Sequence, residues 1–172
     1  MTPFTIRRAV AADLPTLVDF LARLALHVSG APPTPLKKQE HRRLLAALSD
    51  SLVDEDKLIL VADVPDVGVV GMGYIFVWRN QGIWEQAEYV EHKSAMIDDV
   101  WVEPGFRKRG LFSAILKELV GFAEKKGAQD LVVEYSLTNK EAAAAWTKLG
   151  FEPTGVRAAA FTVAVQNALA DR

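Results

Sequence analysis

Ile97-Asp-Asp-Val-Trp-Val-Glu-Pro-Gly-Phe-Arg-Lys-Arg-Gly-Leu-Phe-Ser-Ala-Ile-Leu116 is the stretch on which the fold turns. It reads as a strand that ends in Val-x-Pro, a short basic loop containing a glycine, and the start of an amphipathic helix. A loop that turns straight into a helix leaves the N–H groups of the first turn without intrahelical partners. Those groups sit at the positive end of the helix dipole, so they form a ready anion site. The amides of about Lys108 to Ser113 could wrap a pyrophosphate, with Arg107 and Arg109 adding charge. Gly110 allows the backbone a close approach because no Cβ stands in the way. A basic turn with a glycine is common by itself; the strand before it and the helix after it give it meaning. It is not a Walker loop, because no Gly-Lys-Ser/Thr follows.

Outward from that stretch, helical spacing and strand alternation place the other elements. Thr5 to Val10 is a first strand, and Ala12 to His27 an amphipathic helix with Pro15 in its first turn. The segment Ser29 to Pro35 breaks it, and Leu36 to Ser51 forms a second helix. Lys57 to Asp63 and Val69 to Trp78 pair as a hairpin, and Ser94 to Val102 is the fourth strand. The polar and aromatic segment Arg79 to Glu91, with Trp84 and Tyr89, reads as a long loop with strand extensions. The helix that opens at Leu111 closes at Lys125-Lys126-Gly127. Leu131 to Tyr135 is a fifth strand, and Thr138-Asn-Lys-Glu141 is a capping box that opens a helix through Leu149. Two short strands are expected near Glu152 to Arg157 and Ala159 to Val165. The order predicts an α/β fold: a mixed sheet with helices on both faces.

Bulk composition narrows the class. A chain of 172 residues is expected to be a single domain, 1–172, with a sizeable core. Half of the residues are hydrophobic and 24% are charged, as in an ordinary globular protein. A net charge of −2 gives no basic field for nucleic acid or an anionic membrane. With no cysteine there is no disulfide and no thiolate nucleophile. No apolar run is long enough to span a bilayer, and Met1 to Arg8 leads directly into a strand pattern, so a cytoplasmic location is expected. His27, His41 and His92 lack metal-ligand spacing, so no metal site is expected. Gly68-Val-Val-Gly-Met-Gly73 precedes a strand pattern rather than a helix and is no dinucleotide fingerprint.

A second motif follows downstream: Asn139-x-x-Ala142-x-x-x-Trp146-x-x-x-Gly150-Phe151. Together with Val102, Pro104, Arg107 and Gly110 it resembles the GCN5-related N-acetyltransferase (GNAT) superfamily, across almost the whole chain. In that family the first motif runs Val-x-Pro-x-x-Arg/Gln-x-x-Gly-x-Gly/Ala, and Phe112 replaces its small last residue. The later motif usually carries a tyrosine where Trp146 stands. The resemblance implies a mostly antiparallel mixed sheet whose fourth and fifth strands splay apart. It implies acetyl-CoA in that wedge, its pantetheine arm on the backbone of Val100, Trp101 and Val102. The pyrophosphate would lie on the amides of Lys108, Arg109, Gly110, Leu111, Phe112 and Ser113. Asn139 would contact the cofactor, and Trp146 would wall it. Acetyl would pass directly to an acceptor amine, bound between the two N-terminal helices and the Arg79–Glu91 loop.

Such chemistry needs a base for the acceptor proton. Glu134 on the fifth strand comes first, because the family often places a glutamate there; Asp98 and Asp99 on the fourth strand follow. Neighbours on a strand face opposite ways, so only one aspartate faces the substrate unless a bulge intervenes. Indole N–H is no useful acid, so Tyr135 or water would protonate the departing thiolate. A non-catalytic acyl-CoA-binding domain and a transferase of another acyl group stand as alternatives. An exposed C-terminal strand could join a homodimer.

Overall fold

The computed structural model describes residues 3–79, 92–155 and 158–170. Trp84 and Tyr89 lie outside them. The chain clusters into two compact units, Met1–Glu134 and Tyr135–Arg172.

The first unit is a five-stranded sheet in the order β1-β2-β3-β4-β5. The strands are β1 Thr5–Arg8, β2 Lys57–Val64, β3 Gly68–Arg79, β4 Lys93–Val102 and β5 Asp130–Val133. The first four pair antiparallel, and β5 joins β4 in parallel. Helices α1 (Leu14–Ser29) and α2 (Lys38–Val53) pack on one face. Leu17, Val18 and Phe20 of α1 and Leu48 of α2 join Ile59, Val61, Met72 and Trp101 of the sheet in one core. The other face carries α3 (Leu111–Lys125), whose Ile115 and Leu119 are fully buried. Gly73 lies beneath them: a Cβ there would run into the Ile115 side chain and stand 3.0 Å from Leu119. The missing side chain is what lets α3 lie close on the sheet. The expected α/β sheet with helices on both faces is therefore present.

At the N-terminus Arg7 forks between two carboxylates. It meets Asp13 at 2.7 Å and Asp63 at 2.9 Å, while Asp13 also accepts the Val10 N–H at 2.9 Å. One buried aspartate thus ties the entry of α1 to the first strand, and the Arg7 guanidinium holds its carboxyl below the usual range.

The second unit holds α4 (Lys140–Lys148) and α5 (Thr162–Ala170). Two expectations fail here. The cap of α4 is Asn139, whose side chain accepts the Ala142 N–H at 3.1 Å. Thr138 is turned to the Ser136 hydroxyl at 2.7 Å instead. The two C-terminal strands do not form among the described residues; the segment ends in α5, which buries none of its residues. A strand needs a neighbour for its backbone groups, whereas a helix satisfies them internally, and Ala164, Ala168, Leu169 and Ala170 favour helix. With no C-terminal strand, the expected strand-mediated homodimer loses its element. No described helix is long and apolar enough to cross a membrane.

Candidate active site

The register of β4 against β3 slips between Tyr74 and Ile75: Tyr74 faces Asp99, and Ile75 faces Ile97. Asp98 is the extra residue of a β-bulge, so Asp98 and Asp99 together oppose Tyr74. The bulge removes the alternation that would have sent the two carboxylates to opposite faces. Burial first, then Asp98, pushes the Asp99 carboxyl up to about 6. Burial first, then Glu134, pushes Asp98 upward as well. Three carboxylates, Asp98, Asp99 and Glu134, therefore share one electrostatic neighbourhood. Asp99 is half-buried, whereas Glu134 is exposed just past the end of β5.

The same bulge marks where the sheet opens. Parallel pairing of β4 with β5 stops at Ile97↔Val133. Beyond it, β4 runs on to Val102 with β3 alone as its sheet neighbour. The Glu103 N–H donates to Val70 at 2.9 Å. By alternation, the backbone groups of Val100 and Val102 then point away from β3, toward the side that β5 has left. The Val102 carbonyl there accepts from Arg107 Nε at 3.1 Å. The fourth and fifth strands are splayed, as the sequence predicts.

After β4, Pro104–Phe106 form one 3-10 turn and the chain enters the basic loop. Lys108 has φ 59° and Gly110 φ 88°, two left-handed residues within three positions. Left-handed residues of this kind turn successive N–H groups into one concavity, which suits an anion. Gly110 is the N-cap of α3 and brings no side chain to bond its first-turn amides. The N–H groups of a helix's first turn have no intrahelical partner, and no cap side chain bonds to them here. Leu111 is buried in the core, and Phe112, the bulky residue in place of a small one, is half-buried.

Arg107 also holds the loop to the strand before it. Besides its bond to Val102, its guanidinium lies 5.2 Å from the centre of the Trp101 ring. Both contacts tie the loop to β4. Trp101 is buried, with His27 edge-on at 6.0 Å, and its Nε1 has no hydrogen-bond partner among the described residues. By the alternation that turns Val100 and Val102 outward, the backbone groups of Trp101 point toward β3, so among Val100, Trp101 and Val102 only the first and last present backbone to the opening. The sequence also gave no sign of Arg23, which bonds Glu103 at 2.5 Å and so ties the start of the loop to α1. Two partners separated by 80 residues leave no periodic signal.

In the second unit, the later motif is a capped and stopped helix. Asn139 caps it, as described. At the other end, Gly150 (φ 91°) and Phe151 return their N–H groups to Thr147 and Trp146 at 3.0 and 3.1 Å. That is a Schellman stop, and the Trp146–Phe151 ring contact at 5.3 Å is its usual apolar clasp. Trp146 is buried, and Tyr135, which opens the unit, is half-buried. Among the described residues no group of three His, Cys, Asp or Glu could hold a metal.

A strand that bulges at the opening of the sheet thus leads into a helix cap without a side chain. The acetyltransferase (GNAT) family model matches residues 23–151. The chain belongs to the GNAT acetyltransferase family, whose members in general move acetyl groups from acetyl-CoA. Solved structures agree on the fold. A transcriptional regulator from Bacillus halodurans C-125 is 19% identical, with a TM-score of 0.74 over 92% of this chain and 99% of that one. Glucosamine-6-phosphate N-acetyltransferase from Arabidopsis thaliana is 17% identical, with a TM-score of 0.67 over 93% and 99%. A predicted acetyltransferase with acetyl-CoA from Clostridium acetobutylicum is 16% identical, with a TM-score of 0.73 over 94% and 97%. No curated protein matches the sequence.

Proposed function

We propose that this chain is an N-acetyltransferase that passes acetyl directly from acetyl-CoA to the amine of a small molecule or peptide. The observation that carries the reading is the unbroken path from the bulge at Asp98, along the outward backbone of Val100 and Val102, to the bare cap at Gly110. A pantetheine arm would pair with that backbone, and a pyrophosphate would rest on the amides of Lys108 to Ser113.

Asp99 is the base in this proposal, ahead of Glu134. It is half-buried and held near 6, so at neutral pH it is ionised yet still basic enough to take a proton. Asp98 and Glu134 add negative charge that draws an ammonium to the site. Asp99 takes the proton from the ammonium, and the neutral nitrogen attacks the thioester carbonyl carbon. A C–N bond forms and the C–S bond breaks. The thiolate leaves and is protonated by solvent. The Val100 N–H, facing the opening, is placed to polarise the carbonyl. The cofactor contacts assigned to Asn139 and Trp146 rest on the family resemblance, and Asn139 Oδ1 is already committed to the Ala142 N–H.

The test is an amine panel read by release of free thiol. Amine-dependent release supports the proposal. Acetyl-CoA binding without release would favour the non-catalytic reading, for which Trp146 in the usual tyrosine position speaks. Comparing acetyl, propionyl and succinyl thioesters separates acetyl transfer from transfer of another acyl group.

A further inference from the structure

The face of β3 that carries Met72 leaves the core as the strand proceeds. Met72 is fully buried, whereas Tyr74, Phe76 and Trp78, next on the same face, are each half-buried. Their rings form a continuous row, with centroids 6.1 Å apart from Tyr74 to Phe76 and 5.7 Å apart from Phe76 to Trp78. Met96 stands opposite Phe76 and is also half-buried, so a thioether flanks the row. The near end of the row is Tyr74, the residue that faces the Asp98–Asp99 bulge. A diagonal neighbour across two strands is about 7–8 Å away, which sets the reach from Asp99 to Phe76. A pair of carboxylates thus stands at one end of a partly open aromatic strip.

We infer that the acceptor is a primary amine joined by a short linker to a flat aromatic body, with its ammonium at Asp98 and Asp99 and its ring along Phe76 and Trp78. This inference rests on the acetyltransferase reading above. Half-open rings offer flat faces on which an aromatic body stacks at low cost in side-chain entropy. The rings also attract a cation lying over them. The charges on this face agree. Asp98, Asp99 and Glu134 are acidic, and Lys57, opposite Phe76 on β2, is bound to Asp54 at 3.1 Å. Tyr74 is steadied by the Ser51 hydroxyl at 3.3 Å, which fixes the end of the strip beside the aspartates. A phosphorylated amine would meet three carboxylates, and an amino sugar would leave the strip uncovered.

The experiment compares kcat/KM for phenethylamine and tryptamine with that for glucosamine, glucosamine 6-phosphate and a lysine-containing peptide. Acetyl-CoA affinity is measured in parallel by calorimetry. The aryl amines are expected to be preferred by about tenfold or more. Phe76→Ala and Trp78→Ala should raise KM for the aryl amines while the calorimetric affinity for acetyl-CoA stays unchanged. Phe76→Leu, which keeps an apolar side chain, serves if Phe76→Ala does not fold. Equal or better turnover of the sugar or peptide amines overturns the inference, as does acetyl-CoA binding with no aryl amine turned over. Failure to bind acetyl-CoA overturns the acetyltransferase reading beneath it.

Discussion

Asp99 shows what a single residue contributes when the backbone is irregular. The sequence alone ranks it behind Glu134, because strand alternation leaves only one aspartate facing the site. The bulge at Asp98 is what changes the ranking, and nothing in the one-letter order announces a bulge. Its cost is measurable. A carboxyl raised to about 6 in the folded protein has a lower value unfolded, so the unfolded chain binds fewer protons between those two values. Stability therefore falls as pH rises from about 4 to 6, and levels off above it. Asp99→Asn removes that penalty. It should raise stability at neutral pH by on the order of 1–2 kcal/mol in urea denaturation. The same substitution should lower kcat by about 10²–10⁴ and abolish the rise of activity through pH 6. Loss of stability together with unchanged activity would remove Asp99 from the mechanism. At the other carboxylate, Asp13, the sign reverses. Its value is depressed by Arg7, so its contribution is present above the unfolded value and is lost as pH falls through the folded one.

The cofactor half of the proposed site lies on whole elements, and here the sequence is more informative. The run from Val102 to Ser113 announces strand, loop and helix because glycine, proline and hydrophobic spacing are local signals. Gly127 and Gly150 likewise mark the ends of α3 and α4, and both are left-handed. Arg107 is harder to read, since its guanidinium lies over Trp101, and that choice depends on a tertiary contact. Gly110 is the direct probe of the cap. At φ 88° an alanine is strained, so Gly110→Ala should cost about 1–2 kcal/mol and weaken acetyl-CoA binding in a titration. Gly73→Ala, beneath α3, should destabilise by about 1–3 kcal/mol, because its Cβ runs into Ile115. Retained affinity in folded Gly110→Ala would argue against the loop as the phosphate seat.

Across the whole molecule, the sheet and the three helices of the first unit follow from periodicity, and the C-terminal region does not. Val163 and Val165 alternate as a strand would, but Ala164, Ala168 and Leu169 fit a helix equally well, and only a neighbouring strand could decide. The long segment between β3 and β4 offered aromatic residues without periodicity, and only its flanking strand residues Tyr74 to Trp78 have a described place. The family match spans residues 23–151 and thus covers parts of both units. A ligand that binds the native state alone stabilises it by mass action. At a hundred times its dissociation constant, acetyl-CoA adds about 2.7 kcal/mol, which should raise Tm by roughly 5–10 °C in a thermal scan. A Tm that ignores the cofactor would count against a site in the native fold.

The central claim is that the opening in the sheet and the bare cap of α3 hold acetyl-CoA. Calorimetric titration of the full chain with acetyl-CoA tests it most directly. One molecule per chain with a dissociation constant in the micromolar range, weakened in Gly110→Ala, is the predicted result. No heat of binding up to about 1 mM cofactor would contradict it.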